Sequence, residues 1–532
     1  MAKNSPFLLL LALLMGCAQV GNVTGGEKDT RAPELIGADP PNGSVRFKSE
    51  VIRLEFDERI QLERVRERLL ISPPLEEAPE VRITGTRNVE IRLAGPLLPN
   101  TTYTFNLGEC VKDLTEGNVA TGASYICSTG EVLDSLRVAG AVVNAYTGVP
   151  EKDILVLLYA EGDTTAFRTG RPRSMTRCNA MGVFELSNLP EGRFDLYALL
   201  DRNANYKYDL PNEEIAFLDS ALVLNANDSV APIVSMRSFL PLSASQQVRS
   251  SKVLPDGAME LVLARPGDTI MVRDITRSGG SLSWVPEWST TGDTVLLWPS
   301  DTTQLASGSY EIRDRSMVLD TVRYRTVQQM PFYNKLKATQ TEDGAEALVQ
   351  IRSARPIARM DSARVRLVRD SVPLEFRITR IANDRRTITL WTDLPPGTSG
   401  RLTILPKAVH DIYGGTNDTL QVPLGRAADR AVGSLRVNLN ELEGPGPFVL
   451  QLVDQQQRVL RETAAEKNIA FVVWDRLPPG HFTLRLIDDR NGNGRWDTGD
   501  WGDRRQAERT WYHPEPVNVR AAWDVVVDWT VP

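Results

Sequence analysis

Short stretches in which apolar and polar residues alternate recur along the chain, and almost none of it shows a sustained helical period. Alternation of this kind places apolar side chains on one face of a β-strand and polar side chains on the other. Clusters of Pro, Gly, Asn and Asp separate the stretches at the spacing typical of β-sandwiches and barrels. The clearest stretches are VIRLEF (51–56), TTYTFNL (101–107), ILVLLYA (154–160), FDLYALL (194–200), FVLQLV (448–453) and FTLRLI (482–487). The pattern predicts an all-β chain, with a helical turn or two inside QLERVRERLL (61–70).

Two parts of the chain repeat each other. LPEGRFDLYALLDRNANYKYD (189–209) matches LPPGHFTLRLIDDRNGNGRWD (477–497) without a gap, at a shift of 288 residues (477 minus 189). Upstream of each copy, LLPNTTYTFNLGECVKDLTEGN (97–118) resembles DLPPGTSGRLTILPKAVHDIYGGTN (393–417) after a short insertion. The same order of two module types therefore appears twice, and another β-rich stretch lies between the copies.

A chain of 532 residues is too long for one hydrophobic core. We therefore predict a tandem array of about five β-sandwich modules, preceded by a short N-terminal region. The modules are A (31–130), B (136–237), a middle module M (241–330), A′ (331–425) and B′ (430–532).

The N-terminus predicts export. Lys3 is followed by an apolar run (7–15) that is too short to span a bilayer, and this is the pattern of a secretory signal over residues 1–16. LLMGC (13–17) resembles a bacterial lipobox, which implies cleavage before Cys17 and a lipid on that cysteine. The alternative is an ordinary signal peptide with an incidental cysteine. Residues 17–30 contain three glycines and are predicted to be a flexible tether from the lipid to module A.

Charge and motif content argue against two classes of function. The formal net charge is −7 and basic residues are scattered among acidic ones, so no basic stripe suits nucleic acid. The chain has only three histidines and lacks a G-x-S-x-G elbow, an H-E-x-x-H pair and a phosphate-binding glycine loop. Asp113 and Asp411 recur at matching places in A and A′, where a turn-stabilising role explains them best. We predict a protein that is not an enzyme.

Three cysteines follow Cys17 in the chain. Cys110 and Cys127 flank the turn-rich stretch VKDLTEGNVATGAS between two predicted strands, so they are candidates for a disulfide across neighbouring strands. The geometry of such a bond is demanding, and two free thiols are the alternative. Cys178 has no evident partner and is predicted to be a buried small hydrophobe.

The stretch DDRNGNGRWDTGD (488–500) has the spacing of a calcium loop, in which oxygen ligands stand at positions 1, 3, 5, 7, 9 and 12. The candidate ligands are Asp489, Asn491, Asn493, the Arg495 carbonyl, Asp497 and Asp500. The repeat at the other end of the 288-residue shift supplies Asp201, Asn203, Asn205, Asp209 and, beyond the regular spacing, Glu213. The alternative for both is a polar turn whose side chains bond to local backbone. Calcium here would be structural.

Tryptophan is concentrated near the C-terminus. Trp501 and Trp511, with the neighbouring Tyr512, are candidates for an exposed patch that stacks on sugars or binds a protein. Packing of the C-terminal tryptophans inside the last module is the alternative.

Several motifs resemble known families. Module A carries PPNGSV (40–45), LEFDERI (54–60), PLLPNTTYTF (96–105) and VKDLTEGN (111–118), and it resembles the bacterial Ig-like domain of SbsA-type S-layer proteins. Module B carries AGAVVNAYTGVP (139–150) and GVFELSNLPEGRFDLYAL (182–199), and it resembles transthyretin-like, or carboxypeptidase-regulatory-like, domains.

The whole chain is similar to Ig-like lipoproteins of Bacteroidota, a family without an assigned biochemical activity. The resemblance implies a non-enzymatic, outer-membrane lipoprotein that serves as a scaffold or as the protein-binding subunit of a cell-envelope complex. A glycan-binding or adhesive surface lipoprotein is the alternative. The residues after Cys17, AQVGN, include no acid of the kind linked to surface export in that phylum, which favours the periplasmic face.

Overall fold

A computed structural model describes residues 29–531 apart from residues 121, 164, 229, 268, 277–281, 302–305, 326–333, 344–345, 381–383, 443–445 and 467–468. The signal segment, Cys17 and most of the tether lie outside the described residues. Within this part of the chain strands predominate, and the α-helices are two single turns, α1 (Val65–Arg68) and α2 (Ala166–Thr169). No helix in the described ranges is long and apolar enough to cross a membrane.

Module A is a sandwich around one apolar core. Its strands are β1 (Leu35–Asp39), β2 (Val51–Phe56), β3 (Ile60–Leu62), β4 (Leu70–Ser72), β5 (Glu80–Thr84), β6 (Asn88–Arg92), β7 (Thr102–Asn106), β8 (Val111–Asp113) and β9 (Ser124–Ser128). They form the sheets β1-β2-β6-β5 and β4-β7-β9, with the pair β3-β8 at one side. Alternate residues of β2, Ile52, Leu54 and Phe56, are fully buried between the sheets, as the alternation in sequence predicts.

Module B is a second sandwich with a different strand order. Its strands are β10 (Leu136–Asn144), β11 (Leu155–Ala160), β12 (Ser174–Arg177), β13 (Val183–Leu189), β14 (Gly192–Leu199), β15 (Ile215–Phe217), β16 (Leu222–Leu224) and β17 (Ile233–Ser238). A three-stranded sheet, β13-β10-β17, packs on a five-stranded sheet, β12-β11-β14-β15, in which β16 also pairs with β14. The contact of β10 with β17 is parallel, and all other pairs in the module are antiparallel.

Modules M and A′ are also two-sheet sandwiches. M contains β18 (Val248–Val253), β19 (Met259–Leu263), β20 (Met271–Asp274), β21 (Trp284–Trp288), β22 (Thr294–Pro299), β23 (Gly308–Asp314) and β24 (Met317–Tyr324). A′ contains β25 (Leu336–Asp343), β26 (Glu346–Ser353), β27 (Ile357–Met360), β28 (Val365–Arg369), β29 (Val372–Pro373), β30 (Arg377–Arg380), β31 (Thr387–Thr392), β32 (Ser399–Ile404), β33 (Val409–Asp411) and β34 (Leu420–Gly425). The sheets of M are β18-β19-β22-β21 and β20-β23-β24. Those of A′ are β25-β26-β31-β30 and β29-β28-β32-β34, with the pair β27-β33.

Module B′ repeats the architecture of B. Its strands are β35 (Gly433–Asn440), β36 (Phe448–Val453), β37 (Val459–Ala465), β38 (Phe471–Leu477), β39 (Gly480–Asp488), β40 (Thr510–Tyr512), β41 (Val517–Val519) and β42 (Asp524–Thr530). The sheets are β38-β35-β42, again with a parallel pair, and β37-β36-β39-β40 with β41 on β39. The sheet orders of A and A′ also correspond. The prediction of an all-β tandem array of about five β-sandwich modules is confirmed.

The central strands of B and B′ are buried on both faces. In β11, Val156 and Leu158 point into the sandwich of B, while Leu155, Leu157 and Tyr159 belong to a second apolar cluster on the outer face. In β36 all six residues are buried. A sheet buried on both faces needs a cover on its outer side, because apolar surface left in water is unfavourable. In B this cover includes Phe167 and Tyr208 of its own loops, Leu70 of module A and Trp501 of module B′.

Candidate functional site

The outer face of the five-stranded sheet in module B is covered by a loop of module B′. Trp501 is only 8% exposed and contacts the rings of Phe167, Tyr197, Tyr208 and Phe217 at centroid distances of 5.1 to 5.9 Å. Edge and tilted contacts of this kind add to the free energy gained by burying the rings. The loop thus anchors one module to another that is almost 300 residues away in sequence.

Polar groups extend this contact. Arg504 donates to the Tyr197 hydroxyl at 3.0 Å and lies over the Trp501 ring at 4.4 Å. Gln506 donates through Nε2 to the Phe217 carbonyl at 2.8 Å and to Asp219 at 2.9 Å. Each of these bonds satisfies a group at the edge of the aromatic cluster, so the loop residues 498–507 act as a clamp. We call this segment the clamp.

A residue of module B also contacts module B′. Tyr146, in the turn after β10, lies against the outer face of the five-stranded sheet of B′, with the Arg485 guanidinium 4.4 Å from its ring centroid. The Trp496 ring is 4.9 Å from the Tyr146 ring, and the Tyr512 hydroxyl donates to the Tyr146 carbonyl. Each module thus places a loop residue, Trp501 or Tyr146, against the outer face of the five-stranded sheet of the other.

Beside this junction lies the first candidate calcium loop, loop B (201–213). The Asp201 carboxylate accepts the backbone N–H groups of Asn203, Asn205 and Tyr206 at 2.8 to 3.3 Å. The side-chain amides of Asn203 and Asn205 donate to the Asp209 carboxylate at 3.1 and 2.7 Å.

Glu213 binds the backbone of loop B through its carboxylate. It is fully buried, and its carboxylate accepts the N–H groups of Arg202, Asp209 and Leu210 at 3.0 to 3.2 Å. A buried carboxylate needs such donors, because an unpaired charge inside a protein is costly. The structure thus bonds Glu213 to the backbone of the candidate ligand Asp209 and of Arg202, the residue after the candidate ligand Asp201.

Loop B′ (489–508) reproduces most of these bonds. Asp489 accepts the N–H groups of Asn493 at 3.0 Å and Gly494 at 2.7 Å. The amides of Asn491 and Asn493 donate to Asp497, the latter at 2.7 Å. The four side chains therefore lie as their counterparts do in loop B.

The buried acid of loop B′ is Glu508, which the sequence-based ligand set lacked. Its two oxygens accept the N–H groups of Arg490 at 3.0 Å and Asp497 at 2.9 Å, the counterparts of the bonds that Glu213 accepts from Arg202 and Asp209. Glu508 is 5% exposed. Glu213 stands two residues before β15, and Glu508 stands two residues before β40. An alignment of these two strands in the sequence could have identified Glu508 as the counterpart of Glu213.

Asp500, the last ligand predicted for loop B′, lies apart from these bonds and has other partners. Its carboxylate accepts from the Arg265 guanidinium of module M at 3.0 Å and from the N–H of Gly502 at 2.9 Å. The regular spacing of twelve residues fails because the clamp is inserted between Asp497 and the buried acid. Asp500 belongs to the contact between modules.

The side-chain donors of loops B and B′ fit calcium when the Asn side-chain amides are flipped. Asn amide oxygen and nitrogen exchange places by a rotation about the last side-chain bond, which would aim oxygens at the space between the carboxylates. Loop B′ then offers Asp489, Asn491, Asn493, the Arg495 carbonyl, Asp497 and a two-oxygen Glu508. Among the described residues, no group of three or more His, Cys, Asp or Glu is arranged to hold a metal.

The electrostatics of loop B′ also fit a cation. Burial, reinforced by the carboxylates of Asp497 and Asp489, raises the pKa of Glu508 to about 7, although the N–H groups of Asp497 and Arg490 oppose the shift. Three acids held this close repel one another until a proton or a metal ion reduces the charge. A divalent cation at this place would remove the repulsion.

Backbone conformation confirms that the two loops are the same structure. Ala204 and Tyr206 have φ of 57° and 61°, and their counterparts Gly492 and Gly494 have φ of 70° and 77°. Left-handed backbone is strained in residues other than glycine. Tyr206 keeps it because its ring packs against the aromatic cluster of module B.

The predicted exposed patch of Trp501, Trp511 and Tyr512 is wrong. Trp501 is buried in module B, and Tyr512 lies in the junction of B with B′. Trp511 is half-buried, packs on the core of B′ and has its ring 6.4 Å from that of Phe448. These rings pack in contacts between modules, and the local sequence does not reveal such contacts.

The predicted disulfide is also wrong. Cys110 and Cys127 are both free, buried thiols, as is Cys178. Cys127 lies in β9 opposite Tyr103, whereas Cys110 precedes β8, which pairs with β3. The two cysteines are thus not on neighbouring strands. Burial raises the pKa of Cys110 to about 11 and that of Cys127 to about 12, so neither is a ready thiolate.

These features define the class of protein: an all-β chain of tandem sandwiches whose loops make the contacts between modules. Residues 29–129 match the family model of a bacterial Ig-like domain. The match supports an Ig-like domain in module A, and no catalytic family is indicated. A search of curated proteins gave no match.

Several solved structures were found to be similar over long stretches. BcpA, the major pilin subunit of Bacillus cereus, is 8% identical over 74% of this chain and 98% of its own, with a TM-score of 0.14. The Bacillus anthracis TIE protein is 8% identical over all of this chain and 79% of its own, with a TM-score of 0.15. A titin fragment, I67–I69, is 12% identical over 51% and 92%, with a TM-score of 0.12. TM-scores this low do not support any inference about this chain.

Proposed function

We propose that the chain is a non-enzymatic, lipid-anchored scaffold, or the protein-binding subunit of a cell-envelope complex, held at the periplasmic face of the outer membrane through Cys17. The N-terminal signal and lipobox-like sequence support the anchor, and the Ig-like match of residues 29–129 supports the absence of catalysis. The observation that carries the proposal is that the modules are locked to one another rather than strung out.

Contacts between modules occur along the whole chain. Ser72 of A and Ser174 of B share a hydrogen bond of 2.8 Å, and Met175 donates its N–H to Ser72 at 2.9 Å. The clamp joins B′ to B, as described above. A platform of this kind keeps its surfaces in fixed orientation, which reduces the entropy lost on binding a partner.

The junction of M with A′ is the most polar of these contacts. Glu287, which is 7% exposed, accepts from the Arg386 guanidinium at 2.8 and 2.9 Å and from the Trp298 indole at 3.2 Å. Arg355 of A′, which is buried, pairs with Asp256 of M at 3.6 Å and with Asp411 of its own module at 3.1 Å. Opening the junction would leave the buried Glu287 carboxylate without the Arg386 guanidinium, so the junction resists opening.

The three-stranded sheet of B′ offers a surface for testing the protein-binding role. It exposes Phe471, Val473 and Val526, and the Arg436 guanidinium lies 3.7 Å from the Phe471 ring centroid. Module B exposes Val183 and Ile233 at the corresponding strand positions. Substitution of exposed apolar residues leaves the core intact, so a loss of binding would report the surface itself.

The test is crosslinking in intact cells followed by purification of the lipoprotein in mild detergent. We expect one envelope protein to co-purify in stoichiometric amount, to be lost in Phe471→Ser/Val526→Ser and to be retained in the matched exposed control Met317→Ser. Recovery of the lipoprotein alone, or of the same partner from both variants, would contradict the scaffold role or this surface, respectively. Fractionation of a Cys17→Ser variant tests the anchor.

We further propose that both loops hold calcium as a structural ion, through Asp201, Asn203, Asn205, Asp209 and Glu213 in loop B. In loop B′ the ligands are Asp489, Asn491, Asn493, the Arg495 carbonyl, Asp497 and Glu508. The supporting observation is that most hydrogen bonds of loop B recur in loop B′ around a second buried glutamate. The glycan-binding alternative loses the aromatic patch on which it rested, because Trp501 is buried. A glycan role has to rest on another site.

A further inference from the structure

A cavity of about 480 Å³ opens beside loop B′, between modules B′ and M and the segment that follows module B. Its walls come from distant parts of the chain that are bonded to one another. Thr498 donates to the Leu240 carbonyl at 2.7 Å, and Leu242 donates its N–H to the Gly499 carbonyl at 3.1 Å. The volume is in the range of small-molecule sites. Because its walls are tied together, the cavity is a property of the folded chain.

Positive charge prevails in this cavity. Arg249, Arg265, Arg495 and Arg505 line it, against two acids, Asp293 and Asp497. Arg265 is paired with Asp500 at 3.0 Å, and Arg495 donates to the Thr290 carbonyl at 2.8 Å. Arg249 and Arg505 are exposed, and neither guanidinium has a hydrogen bond or an ion pair with any of the described residues.

The two acids are already engaged. The hydroxyls of Ser289, Thr291 and Thr294 donate to Asp293 at 2.5 to 3.2 Å, and the two Asn amides of loop B′ donate to Asp497. Two guanidiniums are therefore left to receive an anion. A guanidinium offers a planar fork of donors that matches a carboxylate.

The third element is a flat apolar wall. Trp496 lines the cavity, its indole N–H donates to the Glu508 carbonyl at 3.0 Å, and the Tyr146 ring supports it at 4.9 Å. These two contacts fix the ring at the cavity wall, and its only hydrogen-bond donor is used. An aromatic face of this kind packs against the C–H face of a sugar ring.

We infer that this cavity binds an acidic saccharide, with the carboxylate on Arg249 and Arg505 and the sugar ring against Trp496. The inference does not depend on the scaffold function, because it concerns purified protein and needs no envelope partner. It also differs from the C-terminal aromatic patch predicted from sequence, which contained neither Trp496 nor an arginine.

Isothermal titration calorimetry with the intact purified chain tests the inference. The probes are a galacturonic acid oligosaccharide, the neutral galactose oligosaccharide of the same length, and inorganic phosphate and sulfate. We expect the acidic sugar to bind at least about tenfold more tightly than the neutral sugar, as one charge-assisted hydrogen bond provides. Absence of binding, or equal binding of the two sugars, would overturn the inference.

Variants separate the two parts of the site. Arg249→Ala and Arg505→Ala should each weaken binding of the acidic sugar about tenfold, whereas Arg66→Ala, an exposed arginine of module A, should not. Trp496→Leu should weaken the acidic sugar but leave phosphate unchanged. Equal affinities of wild type and both arginine variants would refute the carboxylate site, and phosphate or sulfate binding as tightly as the acidic sugar would refute the saccharide.

Discussion

Loop B and loop B′ have corresponding hydrogen bonds but differ in the contacts that they make with other modules. In loop B the buried Glu213 follows Asp209 by four residues, whereas in loop B′ Glu508 follows Asp497 by eleven. The extra residues form the clamp, which carries Trp501 into module B. The comparison teaches that one polar framework serves as a closed turn in B and as the base of a contact between modules in B′.

The difference also explains which loop the chain depends on. Loop B contacts module B′ through Tyr208, whose ring centroid lies 5.9 Å from that of Trp501. Loop B′ joins B′ to B through the clamp and to M through the pair of Asp500 with Arg265. We therefore expect changes in loop B′ to propagate to neighbouring modules, and the following substitutions are designed to separate the two loops.

The largest effect is expected for Trp501→Ala. A buried tryptophan cut to alanine leaves a cavity and loses its apolar transfer energy, which together cost about 3–5 kcal/mol. Urea unfolding should show that loss, and limited proteolysis should cut the clamp. The matched control is Trp523→Ala, because Trp523 is 61% exposed and its loss should change the free energy of unfolding by under about 0.5 kcal/mol. Similar losses in both variants would show that the clamp is not an anchor.

Calcium affinity should separate Glu508 from Asp500. Glu508→Gln should weaken calcium binding at loop B′ about tenfold or more, because the ligand set loses a charge, and Glu213→Gln should do the same at loop B. Asp500→Asn should leave the calcium titration unchanged. The measurement is calorimetric titration after removal of metal with EDTA. An effect of Asp500→Asn that equals the effect of Glu508→Gln would restore the regular twelve-residue spacing.

The pH dependence of stability should carry the signature of Glu508. Its folded pKa of about 7 lies above the ordinary value of 4.5, so between these pH values the folded chain binds a proton that the unfolded chain releases. The contribution is fully present below about pH 4.5 and is lost as pH rises to about 7. Metal-free protein should lose up to about 1 kcal/mol per pH unit over this window relative to Glu508→Gln. Parallel profiles of the two proteins would contradict the raised pKa.

The smallest effect concerns the left-handed positions. Gly492→Ala should destabilise module B′ by about 1 kcal/mol, because nothing crowds an added Cβ and only the strain of the left-handed backbone counts. Ala204→Gly in loop B should stabilise by less than this, because relief of strain is offset by the entropy that glycine loses. Thermal unfolding of the two variants gives the comparison. Changes of the same sign would show that the loop backbones are not equivalent.

Local features of the chain were predictable. The strands follow the alternation of apolar residues, and the recurring Asp113 and Asp411 hold turns as expected. The Asp113 carboxylate accepts four consecutive backbone N–H groups, which lower its pKa to about 2 against the opposing effect of burial. Asp411 accepts the N–H groups of Tyr413 and Gly415. Such bonds span a few residues, so spacing alone encodes them.

Contacts between distant segments were not predictable. Glu508 was missed because the clamp breaks the regular ligand spacing, and Trp501 was assigned to the surface because its cover comes from module B. Cys110 and Cys127 were paired by proximity in sequence, although their strands belong to different sheets. In each case the deciding neighbour lies outside the sequence window from which the prediction was made.

The sequence by itself determined the all-β class, the number of modules, the duplication and the polar loops, because these depend on periodicity and on ligand spacing within short windows. The tertiary structure alone decided that Trp501 covers the outer face of a sheet in module B, that Glu508 is buried beneath the polar loop of B′ and that two arginines and a tryptophan line one cavity. The physical reason is that burial is a property of whole faces. Which face covers which depends on residues almost 300 positions apart, and no local pattern records that.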